Sequence, residues 1–124
     1  MVSNSTTTGD STDSLGKPIL GAREQVTVIG EYDRVEADAR IDTGATRTQV
    51  DRELACAIGA GPLVGAATFR GSNGATERLI VEVEVTIAGN THAVEASVAD
   101  RSHLATDVRL GQDVLESYLV DISR

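Results

Sequence analysis

Apolar and polar positions alternate along several parts of this chain. From Val35 to Ile41 the odd positions are apolar and the even ones charged, a period of two that marks a strand with one buried face. Val81 to Ile87 repeats the pattern, with Glu82, Glu84 and Thr86 on the wet side. Gly89-Asn90 then fits a hairpin turn, and the chain returns through Thr91 to Val98 with Val94, Ala96 and Val98 on one face. Gln25 to Ile29 is rich in β-formers and ends at Gly30, and Glu31 to Arg34 is short enough to join it to the next strand as a hairpin. Leu63 to Arg70 predicts a strand centred on Ala66–Phe69, and Gly71-Ser72-Asn73-Gly74 demands a turn. Helix signals are few. Asp51 suits an N-cap, Glu53 the first turn and Gly59 the stop, which predicts about two turns of helix between them. After the polar loop 99–106, Val108-Arg109-Leu110-Gly111 predicts a short strand, Gln112 to Ser117 a helical turn or two, and Tyr118 to Ile122 a closing strand. Residues 1–17 carry too few apolar groups to repay the entropy of ordering, so a flexible polar tail is expected there and a single folded domain over 18–124.

Composition narrows the function classes. Nineteen acidic residues face eleven basic ones, for a net charge of −8, and Lys17 is the one lysine. Such a surface argues against non-specific binding of nucleic acid or anionic membranes. Acidic and almost lysine-free, it is what adaptation to high salt would give, a halophilic character. The aromatic residues are Tyr32, Phe69 and Tyr118 alone, so the core is built from small side chains and leaves room for an oligomer to complete it. A lone cysteine, Cys56, excludes an internal disulfide, and its apolar surroundings from Leu54 to Ile58 suggest a buried small hydrophobe. No apolar run reaches the length of a signal or membrane segment, so the expected location is cytoplasmic.

Most familiar chemistries find no residues here. His92 and His103 lack metal-ligand spacing, no serine sits in a Gly-x-Ser-x-Gly elbow, and the glycines fit no phosphate or dinucleotide loop. His92 is expected to be a solvated strand residue, and no metal or cofactor is implied. What remains is Ile41-Asp42-Thr43-Gly44-Ala45 at the end of an alternating strand. A carboxylate on a narrow turn suits acid–base work, and Gly44 clears space for a bend or a substrate. The same residues also make an ordinary strand exit. One carboxylate cannot be both acid and base for adding water to an amide, whereas two sharing a proton can. This chain has one Asp-Thr-Gly. The second carboxylate would have to come from a symmetry mate, and the two would titrate as a coupled pair.

The order of alternating strand, Asp42-Thr43-Gly44-Ala45, glycine-containing hairpin, Leu110-Gly111 and short helix resembles the retropepsin-like aspartic peptidases, over about Leu20 to Ile122. The resemblance implies an all-β, closed acid-protease-like barrel with one or two short helices, acting as a homodimer on a peptide or protein substrate. It implies that Asp42 is the catalytic carboxylate, that Thr43 holds the paired loops and that Gly44 admits substrate beside Ala45. Gly71, Ser72, Asn73 and Gly74 would form a flap tip, Leu110-Gly111 would support the catalytic loop, and Tyr118 to Ile122 would help build the dimer sheet. A narrower likeness rests on Ala39 to Ala45, Arg70 to Gly74 with Arg78, Asp100-Arg101, Leu110-Gly111 and Leu119-Val120-Asp121. These look like the group labelled "ATP-dependent zinc protease", associated with an ATP-grasp ligase that adds glutamates to a ribosomal protein; neither the zinc nor the ATP part of that label has residues to support it. Thr46-Arg47 inverts that group's Arg-Thr order. Arg47, Arg70, Arg78 and Arg101 are the candidates for gripping a Glu-rich peptide, since guanidinium groups fork carboxylates; ion pairs with surface acids are their other reading. The alternative function is a catalytically silent dimerisation or peptide-binding module.

Overall fold

The computed structural model describes residues 16–72 and 74–124. Most of the expected N-terminal tail, and Asn73 of the expected flap tip, lie outside the described residues. Eleven elements follow in order: β1 (Ile19–Leu20), β2 (Arg23–Ile29), β3 (Arg34–Ile41), β4 (Gln49–Asp51), α1 (Arg52–Ile58), β5 (Leu63–Gly71), β6 (Gly74–Ile87), β7 (Asn90–Ala99), β8 (Val108–Leu110), α2 (Gln112–Leu115) and β9 (Leu119–Val120). The main sheet runs β2-β3-β8-β4-β7-β6-β5, and β2 pairs with β6 as well. That extra pairing closes six strands into a barrel and leaves β5 as the outer arm of a long hairpin. The expected all-β barrel with two short helices is the observed one. No helix among the described residues is long and apolar enough to cross a membrane.

The alternation read in the sequence is what fills the barrel. Val26 and Val28 of β2, Ala37, Ala39 and Ile41 of β3, and Val81, Val83, Val85 and Ile87 of β6 all point into one core. Val108 and Leu110 of β8 join them, and Tyr118 is the one aromatic in the cluster. The β2–β3 register sets Val26 opposite Ala37 and Val28 opposite Val35, with the buried Glu24 opposite Ala39 at the end of the same face.

Helix α1 begins and ends where its sequence directs. Asp51 accepts hydrogen bonds from the Glu53 and Leu54 amides, and Gly59 takes the left-handed conformation at φ 67°, which glycine adopts without steric cost. Leu54, Ala55 and Ile58 face the barrel. At 3.6 residues per turn this puts Cys56 on the opposite side, and it is exposed; the expectation of a buried cysteine is corrected. The β6–β7 turn also shifts by one residue. Its central pair is Ala88-Gly89, with φ of 52° and 80°, because Asn90 is already paired with Ile87. His92 is likewise not simply solvated, since its Nε2 lies 2.6 Å from the Tyr118 hydroxyl. Burial lowers the His92 pKa, with Asp113 pulling the other way. Finally, Leu119–Val120 pairs in parallel with Ile19–Leu20 of the same chain.

Candidate active site

Strand β3 carries Asp42 one residue past its end, and three backbone-directed contacts fix the turn that follows. The Asp42 amide donates to the Leu110 carbonyl at 3.0 Å, the Ala45 amide to the Asp42 carbonyl at 3.2 Å, and the Gln112 amide to the Ala45 carbonyl at 2.7 Å. The Gly44 amide donates to Asp42 Oδ1 at 3.0 Å, which orients the carboxylate. The Gln112 side chain donates to the Thr43 carbonyl at 2.8 Å. Beneath the turn, the buried Thr48 donates its hydroxyl to Asp113 Oδ1 and its amide to Asp113 Oδ2, and the Gly111 amide in turn donates to the Thr48 hydroxyl. Leu110-Gly111 thus packs directly under the Asp42 loop. A Cβ on Gly111 would come within 2.8 Å of the Ala45 carbonyl oxygen and the Arg47 carbonyl carbon, so only glycine fits there.

The loop is held from below and open above. Asp42 is half-buried, while Thr43 and Gly44 are exposed. A Cβ on Gly44 would meet nothing closer than Asp42 Oδ1 at 3.4 Å. Nothing inside the chain therefore requires glycine at that position.

Asp42 lines a cavity of about 370 Å³ together with Arg23, Arg40, Arg101 and Arg109, and the 100s loop closes one wall through Leu104 and Thr106. Asp42 is the sole carboxylate among its lining residues. Of the arginines expected around the site, Arg101 alone lines this cavity. Its side chain is buried and each guanidinium nitrogen is engaged, Nε on the Thr106 carbonyl, one terminal nitrogen on Gln49 Oε1 and the other on Thr106 Oγ1. Burial, and after it the nearby Arg109 and Arg40 charges, lower its pKa from the ordinary value. Arg47 lies elsewhere, donating to the Glu95 carbonyl at 3.0 Å and lining a second depression with Asp113. Arg70 and Arg78 lie on the β5–β6 hairpin, opposite Ala75 and Ala67, with Arg70 exposed. Gly71 pairs with Gly74 at the hairpin tip, around Ser72.

The sequence reading did not single out Arg23, Arg40 or Arg109. The signal was present in the pattern of β3, because Arg40 lies two residues before Asp42 and so shares its face. Arg23 and Arg109 come into place only through pairing. Arg23 stands opposite Arg40 on β2, and Arg109 opposite Arg40 on β8.

A family model described as aspartyl protease matches residues 25–114, a span that runs from β2 through the Asp42 loop to α2. The chain belongs to the aspartyl protease family. Solved structures agree on the fold of this family member. EIAV protease, complexed with an inhibitor, is similar at a TM-score of 0.62 and 20% identity, covering 86% of this chain and 92% of the viral one. The protease of simian foamy virus is similar at 0.54 and 15%, covering 72% and 86%. A Legionella pneumophila protein of unknown function is similar at 0.60 and 15%, covering 86% and 94%. Among curated proteins no match was found. The fold of this family member is retropepsin-like.

Proposed function

We propose that this protein is an aspartic endopeptidase whose active site forms when two copies place their Asp42 loops side by side. The observation that carries the reading is the Asp42 turn itself: an oriented carboxylate, braced from beneath by Leu110-Gly111 and Gln112 and open above at Thr43 and Gly44. With Asp42 as the one carboxylate of its cavity, a second copy supplies the partner. One aspartate of the pair is ionised and takes a proton from water as its oxygen bonds to the peptide carbonyl carbon. The other, protonated, donates to the carbonyl oxygen. When the C–N bond breaks, the first aspartate passes its proton to the leaving nitrogen, the second takes one back from a hydroxyl of the tetrahedral carbon as the carboxyl product forms, and the pair again shares one proton. Space at Gly44 and the free Thr43 surface suit the approach of the other loop and of substrate. The β5–β6 hairpin, with exposed Leu63, Val64 and Leu79, suits a flap over a bound peptide.

The narrower likeness noted in the sequence supports an acidic, glutamate-rich peptide as substrate. Among the described residues no group of three or more His, Cys, Asp or Glu is arranged to hold a metal ion. The test is Asp42→Asn. Hydrolysis of a peptide library is expected to fall by on the order of 10³-fold or more, while the mass in solution stays at twice the 13.0 kDa of the chain. Retained hydrolysis in material free of other proteases, or a monomer that cuts at full rate, overturns the reading.

A further inference from the structure

The cavity beside Asp42 is unusual for the charge it carries. In a chain of net charge −8, four of the ten arginines line this one cavity, and the only acid among them is Asp42. Three of them form a row. Arg23, Arg40 and Arg109 are register partners across β2, β3 and β8, so their side chains leave the same face of the sheet. Like charges set directly opposite one another repel, and Asp42 is the one carboxylate that lines the cavity with them. The side chains of Arg23 and Arg40 form neither a hydrogen bond nor an ion pair among the described residues. Arg109 donates one terminal nitrogen to the Arg47 carbonyl, but its Nε is buried without an acceptor. Unpaired buried donors are costly, and a row of three guanidinium groups sharing a cavity with one carboxylate is poised for a further anion. Arg101 is different, since each of its guanidinium nitrogens already donates to Gln49 or Thr106. It shapes the wall and adds charge.

We propose that this cavity is a carboxylate-binding subsite, in which Arg40 and Arg23 grip an acidic group of the peptide adjacent to the bond placed at Asp42, and Arg109 completes the charge behind them. The proposal rests on the peptidase reading for the position of the bond. It names the residues that select the substrate, and they are on the barrel wall, away from the flap. A carboxylate can come from a Glu or Asp side chain or from the C-terminus of a peptide. The chemistry is shared, and the first source implies cutting within acidic segments, the second removal of terminal residues.

The experiment measures binding of four labelled peptides of equal length to the full chain carrying Asp42→Asn, by fluorescence anisotropy at low salt. The peptides carry a Glu run or a Gln run, each with a free or an amidated C-terminus. Glu peptides are expected to bind about tenfold or more tighter than Gln peptides, with the preference falling as salt rises. Adding Arg40→Gln brings the ratio close to one, Arg40→Lys restores part of it, and Arg34→Gln, which removes an equal charge from the far end of β3, leaves it intact. A preference that follows only the free C-terminus assigns the terminal carboxylate as the ligand. Equal binding of all four peptides, or a preference untouched by Arg40→Gln and by Arg23→Gln, overturns the proposal. Wild-type protein that cuts acidic and neutral peptides alike leaves the peptidase reading standing and removes this one. Selective binding by protein that cuts nothing does the reverse.

Discussion

Gly111 is the residue on which the geometry of the Asp42 loop turns. A methyl group there would press on the backbone of Ala45 and Arg47, and backbone cannot rotate aside as a side chain can. Gly111→Ala is expected to cost about 1–3 kcal/mol of stability, as overpacking does. Its effect on hydrolysis is expected to be larger, because displacing a catalytic group by about 1 Å can cost roughly a hundredfold. Urea melts and peptide hydrolysis on the same preparation measure both, and a variant matching wild type in each would show that the loop has slack. At this scale the sequence was most informative where backbone chemistry dictates the residue. Asp42-Thr43-Gly44 and Leu110-Gly111 could be recognised from order alone, since their roles follow from small size and a strand end. The arginines could not be sorted that way. Arg101 looks like any other loop arginine in sequence, and only the fold shows it buried against Gln49 and Thr106.

Among elements, the hairpin β6–β7 shows both what periodicity fixes and where it stops. Alternation located both strands, but either Ala88-Gly89 or Gly89-Asn90 satisfies the glycine signal. The observed register places Ala88 at φ 52°, in a left-handed conformation that costs an L-residue about 1–2 kcal/mol. Ala88→Asn is therefore expected to raise stability by about 1 kcal/mol, because Asn-Gly is the favoured pair for such a turn; a thermal melt unchanged or lowered would count against this. Strand β4 escaped prediction for a different reason. It spans three residues, Gln49–Asp51, too few for alternation to register, and exists because β7 and β8 flank it. Cys56 was misplaced because Leu54 to Ile58 reads as one apolar block until helical geometry divides it into two faces.

For the whole molecule, stability is tied to pH through the contact that joins β7 to the C-terminal segment. His92 meets the buried Tyr118 there, and burial lowers its pKa below the ordinary 6.5. A lowered value means that the folded chain binds this proton less readily than the unfolded one. The contribution is complete above about pH 6.5 and is lost as pH falls through the lowered value. His92→Gln is expected to flatten the stability profile below pH 6.5, as urea midpoints across that range would reveal, and an unchanged slope would assign the effect to other groups. The barrel was legible in the sequence because alternation, turns and the family order of motifs all agree; the charge map of its surface was not, because it depends on which strands become neighbours. The bracing of the Asp42 turn also has a consequence for how the chain comes to its active form. The side-chain bonds under the loop join positions 63 to 69 residues apart in sequence, and loops of that length close late in folding. During synthesis, the turn at Asp42 cannot take its final shape until β8 and α2 have been made and have docked. A chain still being made therefore lacks the final Asp42 turn, which is complete only once the C-terminal segment has docked beneath it.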